Sequence, residues 1–414
     1  MNALIAAMSI ASKVREIYEQ RPYPAANKRT LRGMRWNLAA MEWINAVWQP
    51  AQPSPSRILV AGCGAGAEAF ALCKRFPRSE IVAVDFSPRS ISLARDLQMR
   101  TPGMQNIRFA VGDLASSNFA RTAGRNFNFI SCHGVLSYIA DPERVLGNLA
   151  GCLAEDGALH LGVNGTTHPS ANLRKVLPDF GFEMHTFQDA PQLRRILSLM
   201  DALAGNGVIQ LAKREPEYLA GDLFGPLILN LPLANWVKMA RKAGLHLRGN
   251  YTSHRMLRSA INNGTCELLM PRSRADVAEL LDILVPLPFH RAVFAKQPEA
   301  RPPWEEPDKL LAWRPVVTPA LRRYRWPKHR GSWNTFRNLK IKSPTTNTLI
   351  ELRVPEWELE ILRKSDGVLP LCAILAGVVP PPQPITLRRE LYLLYHLALL
   401  NFFPPVPGVR ERDR

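Results

Sequence analysis

The chain has no pair of cysteines at CxxC spacing. Its six cysteines, at 63, 73, 132, 152, 266 and 372, are scattered through 414 residues, and none joins histidines in a cluster at metal-ligand spacing. That arrangement argues against a disulfide framework and a zinc site, and predicts buried thiols in a reducing compartment. Apolar runs of membrane length are missing too. The candidates at 223–235, 367–380 and 391–403 fall short of the roughly 18 residues a span needs, and they carry Gly, Pro, Asn or His. Met1 to Ile10 is apolar but lacks a basic n-region and a small-residue cleavage site, so it reads as the start of a helix and not as a signal peptide. A soluble, cytoplasmic protein is the expectation. Acidic residues are scarce: 35 Asp and Glu face 53 Lys and Arg, for a formal net charge of +18. Such a balance suits an acidic partner such as nucleic acid, an anionic membrane surface or an acidic protein, and equally suits plain solubility. Core material is ample at 46% hydrophobic residues. At about 150 residues per domain, two or three domains are expected.

The informative stretch is Ile58-Leu-Val-Ala-Gly-Cys-Gly-Ala-Gly-Ala-Glu68. A run that reads as a buried strand enters glycines at 62, 64 and 66, then an alanine-rich segment that reads as a helix. Glycines at a strand-to-helix turn let the backbone approach a nucleotide-type ligand without Cβ clashes. Strand candidates follow at 57–61, 80–84, 107–111, 127–132 and 158–163, with helical stretches between them at 65–75, 88–99 and 141–153. Parallel strands need crossovers of this length, so an open, doubly wound α/β sheet is predicted, with its ligand beyond the carboxyl ends of the strands. Asp85 ends the second strand 19 residues after Gly66, where a carboxylate can accept from both hydroxyls of a ribose. A helix N-cap at Asp85 or Ser87 is the competing use. Asp113 ends the third strand, placed to accept from an adenine amino group or to be a solvated loop residue. Ahead of the sheet, Lys13 to Gln20 reads as helix, Arg21-Pro-Tyr-Pro24 as a stop, Trp36 to Trp48 as a second helix and 49–56 as a linker.

Together these residues resemble a class I S-adenosylmethionine-dependent methyltransferase with a Rossmann-like fold. The resemblance rests on Val60 to Gly66, Asp85, Gly112-Asp-Leu114, Phe129 to Val135 and Leu153-Ala-Glu-Asp-Gly157. The GxGxG spacing fits it better than the GxGxxG of a nicotinamide enzyme, the weaker alternative. A narrower resemblance, carried by Tyr23-Pro24, His133 to Tyr138, Val163-Asn164 and His168-Pro169, is to the group with a methyltransferase regulatory domain, which includes bacterial protein-lysine methyltransferases. Glu217 to Phe224, 233–245 and Pro288 to Phe294 look like that group's middle domain, and the last seventy or so residues like its winged-helix tail.

The resemblance implies S-adenosyl-L-methionine as cofactor. It would be held by Gly62, Cys63, Gly64, Gly66, Asp85, Phe86, Asp113, Leu114 and His133, with Tyr18 and Tyr23 closing over it. His133, Tyr138 and Asn164 are the candidates for lining the acceptor pocket, and Cys63 is a packing thiol. The pattern departs from the family at Val60, where an acidic residue is more usual, at Glu155-Asp156, and after Asn164, where Gly-Thr-Thr-His-Pro replaces a tyrosine-bearing loop.

The predicted division is an N-terminal helical lid (1–50), the cofactor-binding domain (51–185), a helical regulatory or substrate-access domain (186–295), a basic aromatic linker (296–345) and a winged-helix-like module (346–414). Between Arg301 and Lys342, eleven Lys or Arg face three acidic residues, interleaved with Trp304, Trp313, Tyr324, Trp326, Trp333 and Phe336. These aromatics would stack on single-stranded nucleic acid, or their segment would meet an acidic protein, or they would pack on neighbouring structure. The expected activity is methylation of a protein side-chain nitrogen, lysine by resemblance. A small-molecule methyltransferase and a non-catalytic cofactor- or nucleic-acid-binding protein are the alternatives.

Overall fold

A computed structural model describes residues 2–23, 40–48, 54–181, 191–203, 210–260, 263–269, 272–318, 321, 324–329, 331–342 and 349–406. Pro24, the 36–39 part of the expected second helix, most of the 49–56 linker, Arg322, Arg323 and Arg330 lie outside them. The chain divides into two compact units, the first of residues 1–38, 54–245 and 285–291, the second of 39–53, 246–284 and 292–414.

The first unit is built on five parallel strands: β1 (Arg57–Ala61), β2 (Glu80–Asp85), β3 (Ile107–Val111), β4 (Phe127–His133) and β5 (Leu153–Asn164). With β6 (His246–Asn250) and β7 (Phe289–Ala295) the sheet order is β3-β2-β1-β4-β5-β7-β6. β1 and β2 are almost wholly buried, as continuous apolar strands covered on both faces must be. Helices Ala67–Arg75, Pro88–Met99 and Pro142–Cys152 supply crossovers. Two of them start on the same device. Ser87 and Asp141 accept from the main-chain N–H three residues on, at 3.0 Å each, and a proline fills the first helical position, where no donor is needed.

Two of the expected boundaries move. β5 begins at Leu153, not Ala158: Phe127 pairs with Leu153 and Phe129 with Ala158, so residues 154–157 bulge out of register. Gly157 makes the bulge possible, since a Cβ there would sit 2.7 Å from the Phe127 carbonyl oxygen. The 186–295 segment, read as a helical domain, also contributes β6 and β7, which pair antiparallel. Arg248 in the middle of β6 hid that strand. Its guanidinium is buried and donates to the carbonyls of Val47 and Gln297, both at 3.2 Å.

In the second unit β8 (Arg314–Val317) pairs antiparallel with β11 (Leu400–Phe403), and β9 (Phe336–Lys342) with β10 (Leu349–Pro355). The apolar run of the last seventy residues, 391–403, is not one helix. The helix instead runs from Pro384 to His396, Ala398 takes a left-handed conformation at φ 55°, and the chain continues as β11. The aromatics of the basic segment are packed, not free to stack on bases. Trp304 is 2% exposed, edge-on to Tyr392 at 5.2 Å and to Phe402 at 5.4 Å, and Trp313, Tyr324, Trp326 and Trp333 lie against the same core. Phe336 alone of the six is well exposed, at 55%. Five of the six cysteines are buried, all six are free, and among the described residues no helix is long and apolar enough to cross a membrane.

Candidate functional site

The glycine turn after β1 is held by two fixed points. The N–H groups of Gly62 and Cys63 both donate to the Val84 carbonyl, at 2.8 and 3.0 Å, and Gly66 N–H donates back to Cys63 at 2.9 Å. Gly62, Gly64 and Gly66 all have positive φ, at 76°, 52° and 88°, which side chains with a Cβ rarely adopt. Sterics impose the same choice: a Cβ on Gly62 would stand 2.4 Å from Val135 Cγ2, and one on Gly66 would stand 3.0 Å from the Phe70 and Phe109 rings. Cys63 is buried inside the turn, and burial pushes its thiol pKa well up, as a packing thiol requires.

Asp85 clamps this turn to β2. Its Oδ2 accepts from Gly64 N–H at 2.8 Å and its Oδ1 from Ser87 N–H at 2.9 Å. The N-cap alternative falls to Ser87, whose Oγ accepts from Ser90 N–H. Asp85 is 6% exposed, and burial raises its pKa against the opposing pull of those main-chain donors. Each carboxylate oxygen keeps acceptor capacity beyond its main-chain partner, which is what two vicinal ribose hydroxyls need. Phe86 follows, and the Tyr18 ring stands edge-on to it at 6.0 Å, from the end of helix Asn2–Gln20. Arg89 secures that helix end by donating to the Glu19 carbonyl at 3.1 Å. Leu114 is buried, whereas Asp113 is exposed and its Oδ1 accepts from Ala115 N–H at 2.9 Å in an Asx turn.

The three acceptor-pocket candidates do not form one group. Asn164 and Tyr138 come together, with Asn164 Nδ2 donating to the Tyr138 hydroxyl at 3.3 Å. Asn164 is anchored through its main chain, its N–H donating to Ser137 Oγ at 2.8 Å and its carbonyl accepting from the Trp236 indole at 3.2 Å. His133 belongs to another cluster. Its ring packs 5.1 Å from Phe289 and 5.6 Å from His160, and its Nδ1 faces Gly162, where a Cβ would come within 2.3 Å. Burial first, then the His160 and Arg291 charges, keep its pKa well below the ordinary value, so it is neutral at pH 7. Tyr23 lies edge-on to Tyr218 at 6.0 Å.

Two carboxylates escaped the sequence reading. Asp222 sits in a π-helical turn, Leu219–Leu223, closed by Phe224 N–H to Leu219 at 3.0 Å. Burial raises its pKa to about 7. Glu68 lies two residues past the last glycine and accepts from Ser131 Oγ at 2.7 Å. Ser131 is the ladder partner of Val60, so the carboxylate missing at 60 returns at the same place in the sheet from the following helix. The absent acid at 60 was the signal, and the helix's first turn was where to look for its replacement. Burial raises the Glu68 pKa to about 7. In the folded protein Glu68 therefore holds its proton up to that pH, whereas the unfolded chain releases it near 4.5, so folding stability falls as pH rises through that window. Glu68→Gln is expected to raise the thermal midpoint of the ligand-free protein at pH 8 and to leave it nearly unchanged at pH 4. An equal shift at both would refute the assignment.

Residues 59–159 match the model of a family described as a methyltransferase domain. An uncharacterized protein of Synechococcus is 37% identical over 107 residues, 26% of this chain and 25% of that protein. A malonyl-acyl-carrier-protein O-methyltransferase of Bacillus cereus is 31% identical over 103 residues, 25% of this chain and 35% of that protein. The match thus spans about a quarter to a third of those relatives. Among solved structures, PKMT2 from Rickettsia typhi in complex with AdoHcy superposes with a TM-score of 0.52 over 88% of this chain and 75% of that one, at 16% identity. That likeness concerns the fold. The domain match, the sheet order and the glycine turn with its clamping carboxylate make residues 59–159 a class I S-adenosylmethionine-dependent methyltransferase domain.

Proposed function

We propose that the chain is an S-adenosylmethionine-dependent methyltransferase that methylates a protein side-chain nitrogen, with lysine as the acceptor. The observation that carries the cofactor half is Asp85, buried beneath the glycine turn with one oxygen on Gly64 N–H and acceptor capacity left for a ribose. Gly62, Gly64 and Gly66 leave the cradle without side chains where the cofactor's methionine part would lie, Tyr18 and Phe86 flank the ribose carboxylate, and Leu114 with Asp113 borders the adenine end. When bound, the cofactor supplies a methyl group on a positively charged sulfur, already activated for displacement. The protein's work is then to align the acceptor nitrogen with that methyl and to exclude water. Tyr138, beyond the carboxyl end of β4, and Asn164, the last residue of β5, are rigid enough to do so, since Asn164 is fully buried and fixed through its main chain at both ends.

The acceptor half is supported by the resemblance of the 133–138 and 163–169 segments to protein-lysine methyltransferases and by the fold shared with PKMT2. A second reading, a small-molecule acceptor, is supported by the sequence relatives, which include a malonyl-acyl-carrier-protein O-methyltransferase and trans-aconitate 2-methyltransferases. Methyl-tritiated S-adenosylmethionine separates the two. Incubated with the protein and a fractionated extract, it is expected to label acid-precipitable polypeptide, with the label recovered as methyl-lysine after hydrolysis. Label confined to the metabolite fraction would establish the second reading.

A further inference from the structure

Methyl transfer leaves the basic segment of the chain without a task. From Arg325 to Lys342 it holds six Lys or Arg and no acidic residue. The last part of it is β9, which pairs with β10 so that Asn338 stands opposite Arg353, Leu339 opposite Leu352 and Lys340 opposite Glu351. Opposed residues of an antiparallel pair project from one face, and successive residues alternate between faces. Leu339 and Val354 accordingly turn inward, at 3% and 2% exposed. Arg337 shares that inner face and pairs with Glu356, a buried carboxylate that also meets His329 at 3.3 Å. The outer face carries Phe336, Asn338, Lys340, Glu351 and Arg353, and all five are exposed.

Glu351, the one acid of the five, is 62% exposed and pairs at 3.2 Å with Lys340, itself 70% exposed. An ion pair that open to water contributes little, so an incoming anion displaces it at small cost. Arg353 brings a second cation, placed over the Phe336 ring at 5.0 Å from its centroid. Phe336 keeps 55% of its surface in solvent, whereas the tryptophans of the same segment pack on the core. An acidic peptide would answer the cations and leave the ring without a role. A single nucleic-acid strand answers both: its phosphates take the cations, and an unstacked base lies on the ring, with the guanidinium beside it adding a cation–π contact. A duplex keeps its base faces inside its own stack and offers the ring nothing.

We propose that the outer face of the β9–β10 hairpin binds single-stranded nucleic acid, with a base stacked on Phe336, phosphates held by Arg353 and Lys340, and Asn338 between them as a neutral donor. The site lies wholly within the second compact unit and stands independently of the methyltransferase reading. Every base has a π-face and every nucleotide a phosphate, so the site takes single strands with little regard to sequence. Binding there weakens steeply with added salt, because each phosphate contact releases condensed counterions.

Fluorescence anisotropy tests this on the full-length protein with three labelled probes: a single-stranded oligothymidylate, an abasic strand of equal length and an oligoglutamate of equal charge. Wild type is expected to bind the oligothymidylate at least fivefold tighter than either of the others. Phe336→Ala should weaken that binding by about 5- to 150-fold, the range of one base–aromatic stack, and leave the abasic strand unaffected. Arg353→Ala should weaken both strands and lower the slope of log affinity against log salt by about 0.7, the share of one phosphate contact on a single strand. Phe336→Leu keeps the apolar bulk and loses the π-face, so it should match Phe336→Ala, and it replaces that variant if circular dichroism shows the alanine form misfolded. Equal binding of oligothymidylate and abasic strand by wild type, or wild-type affinity in Phe336→Leu, would overturn the stacking site. Oligoglutamate bound as tightly as oligothymidylate would make the face a dock for acidic protein and overturn it as well.

Discussion

Replacing Asp85 by alanine is expected to weaken binding of S-adenosylhomocysteine by about 1.5–3 kcal/mol, a factor of roughly 10 to 150. Hydrogen bonds to an ionised acceptor are worth that much, and alanine removes the acceptor for both ribose hydroxyls. The loss has a second source, since Gly64 N–H also loses its 2.8 Å partner and the glycine turn is no longer held to the end of β2. Asp85→Asn separates the two. Its carbonyl oxygen can keep either the turn or the ligand, but its amide donates where the carboxylate accepted, so it should recover only a small part of the affinity. Calorimetric titration, with circular dichroism to show that each variant is folded, checks this. Unchanged affinity in Asp85→Ala would remove the ribose from this residue.

Gly62→Ala is expected to cost about 2–5 kcal/mol of folding stability. Holding an L residue at φ 76° costs about 1–2 kcal/mol, and overpacking a closed site adds about 1–3. The second contribution arises because the new methyl would meet Val135 Cγ2 at 2.4 Å. Gly134 is the internal control. It has a comparable φ of 70°, yet a Cβ there meets nothing within 4 Å, so Gly134→Ala should carry the backbone cost alone. Trimming Val135 to alanine in the Gly62→Ala background should restore the steric part and leave the conformational part. Equal destabilisation of Gly62→Ala and Gly134→Ala in chemical denaturation would show that Val135 does not close the turn.

What could be read from the sequence follows the range of each interaction. The glycine turn, the apolar strands and the capped helices are local, and their boundaries in the first 150 residues agree with the structure to within a residue or two at most places. The β5 boundary failed because Glu155-Asp156-Gly157 reads as a turn, and only its partner Phe127 shows it to be a bulge inside a strand. β6 failed for a related reason: Arg248 is a core residue whose guanidinium is satisfied by carbonyls distant in sequence. At the candidate site, Asp85 was legible from its spacing to the glycines, but its clamp on Gly64 was not. Asp222 lay in a quoted motif without a role, because nothing in Glu217 to Phe224 says that burial raises its carboxyl to about 7. Glu68 stands in space for the acid absent at 60, so the gap was legible in the sequence but its filling from the following helix became visible only in the fold.

The central claim concerns where the cofactor lies, and a crystal structure with S-adenosylhomocysteine tests it most directly. Both ribose hydroxyls are expected within hydrogen-bonding distance of the Asp85 carboxylate, the adenine beside Leu114, and the sulfur on the side of Tyr138 and Asn164. A ribose bound elsewhere, or a sulfur turned away from that pair, would contradict it.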